Sequence, residues 1–264
     1  NVCNGIAFPV LATCLHNGIL PWDDRLKTIL TAAYRTYGPD GRGPTLGTGG
    51  PGSYVYNDNA LHSLGSLLTD PELAWVPWNR PIWRAYGGVR QPYESYLWAV
   101  TWDSPPALPK EATRSPLPTG TTHLADYGGV ALRVPEAGNY AYVQYGRELI
   151  HGHRNKLSIN AYAKGKWFMR NYAGGYGDQF STWLETIGSA NTVMLAGQKA
   201  DWDTGELLFL GNGTDWEGLV ARERGVWKDS EHRRFVVQTQ GPLIVMDRLT
   251  STSSQVYEWN YLSQ

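Results

Sequence analysis

Between residues 157 and 163 apolar and polar side chains alternate, Leu157, Ile159 and Ala161 against Ser158, Asn160 and Tyr162. A period of two is that of a half-buried β-strand. Lys164-Gly165-Lys166 predicts a hairpin turn, and residues 167–172 the returning strand, which ends in the bend Gly174-Gly175-Tyr176-Gly177. Extended backwards, the same period sets His151, His153 and Asn155 on one face of the first strand, as a polar row. Similar runs predict strands at 129–134, 140–145, 192–195, 207–210, 235–238, 243–249 and 256–261. Strands and turns that alternate in this way describe an antiparallel sandwich over residues 121–264.

The first hundred residues follow a helical period instead. An apolar run at 6–15, with Pro9 near its start and His16-Asn17-Gly18 after it, predicts one helix. A second begins at the Asp23-Asp24 cap and runs to Tyr37, with Leu26, Ile29, Leu30, Ala33 and Tyr37 on one face. A third at 57–69 carries Leu61, Leu64 and Leu67-Leu68. Between the second and third, the glycine- and proline-rich stretch 38–53 is too long for a mere connector, and such loops line clefts. Residues 1–103 therefore read as a helical segment. Residues 104–120, with prolines at 105, 106, 109, 116 and 118, read as a linker, and the whole chain as α+β.

Composition narrows the function. With 264 residues, 42% of them hydrophobic and 18% charged, the chain can bury a sizeable core. It has no apolar run of 18 residues, so no membrane helix is expected. Residues 1–4 lack the basic start of a signal peptide, which fits a trimmed N-terminus as well as a cytosolic protein. Cys3 and Cys14 decide little about compartment. A pI near 6.7 and the lack of any nucleic-acid motif argue against a nucleic-acid partner. Twelve tryptophans and sixteen tyrosines against five phenylalanines favour side chains with a flat apolar face and a polar tip, suited to sugar rings as well as to wetted cores.

Charge is uneven. Between residues 147 and 171, Arg147, Arg154, Lys156, Lys164, Lys166 and Arg170 face only Glu148, a local balance of +5 in a chain of net charge −1. A basic patch around two imidazoles raises the local concentration of an anionic ligand. The plainer reading is that these cations decorate the solvent face of a hairpin.

The run His151-Gly152-His153-Arg154-Asn155-Lys156-Leu157-Ser158, followed by Tyr162, Gly165 and Asn171-Tyr172-Ala173-Gly174, resembles the central β-domain of the heparinase II/III-like polysaccharide lyases. The resemblance continues through Ser189-Ala190-Asn191-Thr192-Val193, Gly197-Gln198, Arg233-Arg234-Phe235, Asp247-Arg248 and Tyr257-Glu258-Trp259. In motif it is nearest the alginate-lyase branch, though heparan, chondroitin and ulvan lyases share the frame. It implies that residues 1–103 are the last helices of an α/α-toroid, that the fold ends in a β-sandwich, and that the protein is secreted or periplasmic. It also implies metal ligands at His153, at Asn171 where the family carries aspartate, and at Ala190 where it carries histidine. Only His153 keeps its type, and a single ligand does not hold zinc in a three-ligand site. No tightly held zinc or other divalent cation is therefore expected unless other side chains complete the site. The family's aspartate after the histidine pair is Asn155 here, and that of its glycine-rich element is Ala196.

The chemistry implied is β-elimination at a uronate. A base removes the C5 proton, the C4–O4 bond breaks as the C4–C5 double bond forms, and an acid protonates the leaving oxygen while a positive group neutralises the carboxylate. The resemblance makes His151 the catalytic candidate, with Tyr172 among the tyrosines on loops that could serve as acid. Arg147, Arg154, Asn155, Lys156 and Arg170 are the candidate substrate contacts. His16, His62, His123 and His232 read as ordinary surface or satisfied core histidines. Two readings follow: a lyase acting on an acidic polysaccharide of alginate or glycosaminoglycan type, or a carbohydrate-binding sandwich without activity. A glycoside hydrolase would need two carboxylates facing a cleft, and the pairs Asp201/Asp203 and Asp215/Glu217 read as turn chemistry instead.

Overall fold

A computed structural model describes residues 8–31, 35–40, 43–44, 118–134, 138–146, 156–172, 187–196, 204–227 and 229–263. The chain divides into two compact units, one of residues 1–34 and 53–117 and the other of residues 35–52 and 118–264.

In the first unit the described residues form α1 (Phe8–His16) and α2 (Asp24–Thr31). α1 stops where the sequence predicts. Gly18 takes a φ of 67°, and the Ile19 amide donates back to the Cys14 carbonyl at 2.8 Å, the left-handed ending that glycine favours. Asp23 caps α2, its Oδ1 accepting from the Leu26 amide at 2.8 Å. α2 ends at Thr31, short of the expected Tyr37, because Tyr37 has another destination: it is fully buried in the second unit. The third expected helix, most of the glycine-rich loop and most of the linker lie outside the described residues.

The second unit is antiparallel β throughout its described strands. β1 (Thr122–Leu124), β2 (Gly129–Val134), β3 (Asn139–Gln144), β4 (Ser158–Ala163) and β5 (Lys166–Met169) form a five-stranded sheet in that order. β7 (Glu206–Asn212), β8 (Trp216–Arg224), β9 (Ser230–Thr239) and β10 (Leu243–Ser251) form a four-stranded sheet in the order β10-β9-β8-β7. A short β6 (Val193–Leu195) pairs with β11 (Tyr257–Trp259). Val130, Leu132, Val143, Ile159 and Ala161 of the first sheet meet Leu219, Ala221 and Val236 of the second in one buried cluster. That is the core of a sandwich, where each large aliphatic chain contributes about 1.5–3 kcal/mol by leaving water.

β4 corrects the expected half-buried strand. Ser158 and Asn160, on the side away from the sandwich core, are as fully buried as Ile159 and Ala161. The cause is a further layer. Tyr140, Tyr142, Tyr162 and Trp167 cluster on the outer side of the five-stranded sheet, and residues 35–40 lie over them. Arg133 Nη2 donates to the Arg35 and Tyr37 carbonyls at 2.6 and 2.9 Å, the Tyr140 hydroxyl bonds the Thr36 carbonyl, and Trp167 Nε1 donates to Asp40 at 2.9 Å. A second correction concerns the start of β4. Lys156 and Leu157 form a turn, Leu157 with a φ of 51°, so β4 begins at Ser158; the backward extension through the histidines falls on residues outside those described.

Candidate functional site

One end of the five-stranded sheet collects most of the residues singled out by sequence that the structure describes. β3 leaves the sheet through Tyr145-Gly146, and β4 enters it after Lys156-Leu157. Beyond β5 the chain comes back to the same end, where the Asn171 amide donates to Asn160 Oδ1 at 3.1 Å. Lys156 Nζ donates to the Gly146 carbonyl at 2.9 Å. Residues 147–155, which hold His151-Gly152-His153, thus leave and rejoin the described structure at two points tied by one charge-assisted hydrogen bond.

A buried polar frame holds this end. Asn171 Nδ2 donates to Ser158 Oγ at 3.0 Å, and Asn171 Oδ1 accepts from the Asn191 amide at 2.9 Å and from its Nδ2 at 3.3 Å. Asn191 Oδ1 accepts in turn from the Leu262 amide at 2.6 Å. Arg234, with no exposed surface, donates to the carbonyls of Leu157 at 2.5 Å and Asn191 at 2.9 Å. Its remaining donors grip Asp247 through Nε and Nη2 at 2.8 and 2.9 Å. Asp247 also accepts from His232 Nε2 at 2.7 Å, while His232 Nδ1 faces buried Glu223 at 3.4 Å. Burial alone would push the Asp247 carboxyl up, yet hydrogen bonds from His232 and Arg234 hold it far below the usual carboxylate range. Burial likewise opposes charge on His232, but Asp247 and Glu223 outweigh it and raise that imidazole above its ordinary value.

Beside this end lies a cavity of about 520 Å³, within the range of small-ligand pockets. His123, Asp126, Tyr145, Thr204 and Glu206 supply its polar lining. The Tyr145 hydroxyl lies 2.7 Å from His123 Nε2, and burial raises that phenol above its ordinary value. The Tyr145-Gly146 backbone is sewn into the floor: both amides bond the Gly128 carbonyl, at 2.8 and 2.7 Å, and the Gly205 amide bonds the Tyr145 carbonyl at 2.9 Å. Gly128, at a φ of 71°, abuts Gly146 so closely that neither position has room for a Cβ. Sequence reasoning passed over His123 and Tyr145. The available signal was the Gly128-Gly129 pair upstream and Gly146 directly after Tyr145, small residues where backbones touch.

The predicted residues divide as follows. His151, His153, Arg147, Arg154 and Asn155 lie outside the described residues. Tyr172 is half-exposed at the frame's edge, its amide donating to the Ser189 carbonyl at 2.8 Å. Lys156 and Arg170 are buried, Arg170 with its guanidinium 5.1 Å from the Trp167 ring centre. The basic patch is therefore smaller on the surface than in the sequence, with Lys164 and Lys166 its exposed described members. His232 is a core residue, whereas His123 lines the cavity. Asp215 does lie in a turn, but Glu217 belongs to β8.

The donor set does not fit the metal site that the resemblance implies. Both lone pairs of the Asn171 carboxamide oxygen accept from Asn191, and Ala190, fully buried, offers no side-chain donor.

No family model and no curated protein sequence matches the chain. Solved structures do. Heparan sulfate lyase HepC from Pedobacter heparinus aligns with a TM-score of 0.64 at 12% identity, over 90% of this chain and 34% of that one. A structure titled Heparinase III aligns with a TM-score of 0.61 at 14% identity, over 97% of this chain and 41% of that one. A heparinase III gene product gives 0.62 at 14% identity, over 91% and 34%. The chain thus shares a heparinase-like fold, and spans between a third and two fifths of these proteins. Among the described residues no helix is long and apolar enough to cross a membrane.

Proposed function

We propose that the chain carries the β-sandwich, together with a helical segment, of a polysaccharide lyase that cleaves an acidic, uronate-bearing polysaccharide by β-elimination. The observation that carries this reading is the Gly146–Lys156 tie, which fixes both ends of the histidine-bearing segment beside the His123–Tyr145 cavity, in a heparinase-like fold. His151 stands five residues from each anchor, within about 17 Å of either by chain reach. It is the group proposed to take the C5 proton or to neutralise the uronate carboxylate. Half-exposed Tyr172 is the proposed acid for the leaving oxygen. Arg147, Arg154 and Asn155 are proposed to hold the anionic substrate, while Lys156 and Arg170 position the frame from inside. A glycosaminoglycan of heparan sulfate type is the favoured substrate, in keeping with the titles of the aligned structures; alginate follows from the sequence resemblance. An extracellular or periplasmic location belongs to the same proposal.

The test is a panel of heparan sulfate, chondroitin sulfate, alginate and dextran incubated with the protein. Growth of the unsaturated-uronate absorbance on a uronate polymer, and none on dextran, is expected. New reducing ends without that absorbance would point to hydrolysis and overturn the reading. Retention on uronate gels with no turnover would replace it with the carbohydrate-binding reading.

A further inference from the structure

The outward face of the four-stranded sheet is unusual for a solvent-facing surface. Strand register sets Met246, Phe235, Val220 and Phe209 in one row across all four strands. Met246 and Phe209 are each more than half exposed. The next row along the strands is cationic: Arg248, Arg233 and Arg222 lie side by side, ending at Glu206. On the other side of the apolar row Trp216 closes the face. The two exposed rings lie down on the sheet, because the backbone beneath them is glycine. The Phe209 ring covers Gly211, and the Trp216 indole covers Gly213 and approaches the Cβ position of Gly218 to 3.3 Å.

Rings laid flat with one face open to water are platforms for the apolar face of a sugar ring. A contiguous apolar patch of this kind marks an interaction site more often than bare surface. The arginine row selects the ligand. Arg222 pairs with Glu206, and Arg224 and Arg233 grip Glu231 at 2.6 and 2.5 Å, which leaves four arginines against two glutamates on this face. Among the described residues Arg248 has no carboxylate partner. Guanidinium forks bind sulfate and carboxylate groups in paired hydrogen bonds. From this juxtaposition we propose that the outer face of the four-stranded sheet is a binding platform for an acidic polysaccharide, with Phe209 and Trp216 stacking on the sugar rings and Arg248 beside Arg233 taking the anionic groups. The platform serves binding and holds no reacting group, so it stands whether or not the proposed elimination occurs.

Native electrophoresis of the full chain through gels containing dextran sulfate or dextran tests this. Dextran sulfate has no uronate and cannot undergo the proposed elimination, so turnover does not enter the result. Dextran sulfate is expected to retard the parent chain strongly and dextran hardly at all, with the difference shrinking as salt rises. Trp216→Ala, which keeps every charge, and Arg248→Glu are each expected to lose most of the retardation, with circular dichroism unchanged. Arg25→Glu, an exposed position of α2 with the same change of charge, is expected to retain it. Full retardation of Trp216→Ala and Arg248→Glu would overturn the proposal. So would hydroxyl-radical footprinting that finds Met246 and Trp216 protected without ligand, or a dimer that hides them, since another part of the chain or a second copy would then occupy the face.

Discussion

The two sheets of the sandwich use polar residues in opposite ways. The five-stranded sheet is covered on both sides, and its polar side chains, Ser158, Asn160 and Arg133, are buried and hydrogen-bonded. Among the described residues the four-stranded sheet is covered on one side only, and its open face alternates cleanly with its core face along β9 and β10. Where both faces are buried, polar groups fix which strand end meets which loop, because each must find its partner or forfeit its hydration. On the sheet with one open face, register is set by the apolar pattern, and the outward positions are left to serve as surface. The inward residues of β9 belong to both regimes: Val236 fills the core, while Arg234 reaches across to the carbonyls that define the site end.

The sharpest way to break this contrast is Arg234→Ala. It leaves Asp247 buried without its guanidinium, takes the Arg234 donor from the Leu157 carbonyl, and leaves the Asn191 carbonyl with only the Ile159 amide. A loss of about 3–5 kcal/mol is expected in urea unfolding, and a loss near zero would show that the frame does not depend on this residue. Asn171→Ala removes one acceptor and one donor from the same frame and is expected to cost about 1–3 kcal/mol. Asn171→Asp, which introduces the ligand type carried at this position by the lyases the sequence resembles, is expected to melt at the same temperature with and without zinc, because Ala190 supplies nothing.

The paired faces of β9 give the next comparison. Val236→Ala, in the core, is expected to cost about 2 kcal/mol from two lost methyl groups and the space they leave. Val237→Ala, one residue on and facing outward, is expected to change stability by under about 0.5 kcal/mol. Equal effects would mean that the open face is covered.

pH provides a gentler probe of the ion cluster. His232 binds its proton more tightly when folded, so its contribution is complete at pH below the ordinary imidazole value near 6.5 and is lost as pH rises through its raised folded value. Asp247 releases its proton more readily when folded. Its contribution is complete above the ordinary carboxylate value near 4 and fades as pH falls towards its much lower folded value. Melting temperature is therefore expected to peak in mildly acidic buffer and to decline on the alkaline side. Asp247→Asn is expected to flatten both slopes.

Much of the fold was legible in apolar runs, in alternating runs and where the chain turns. β2 has the predicted limits, β10 and the hairpin at Lys164-Gly165 stand where the alternation placed them, and the end of α1 is where His16-Asn17-Gly18 put it. β8 was missed, and its register shows why. Glu223 points into the core and Trp216 out of it, so the polarity pattern that marks a strand is scrambled. The site was legible only in part. Lys156 and Arg170 count as surface charge in a sequence, and only their carbonyl and ring partners reveal that they are internal. Tyr37 reads as the last apolar residue of a helix until residues 35–40 are seen to cover the opposite sheet. The His123–Tyr145 pair joins residues 22 positions apart that share no motif, and register alone brings them together.

The measurement that bears most directly on the proposed lyase is the rate of unsaturated-uronate absorbance on heparan sulfate for the parent, His151→Ala and Lys164→Ala, with circular dichroism as the folding control. The account expects His151→Ala to fall by about 10²- to 10⁴-fold, as loss of a general acid or base does, while Lys164→Ala, at the exposed hairpin turn, keeps the parental rate. A His151→Ala variant as active as the parent would contradict it.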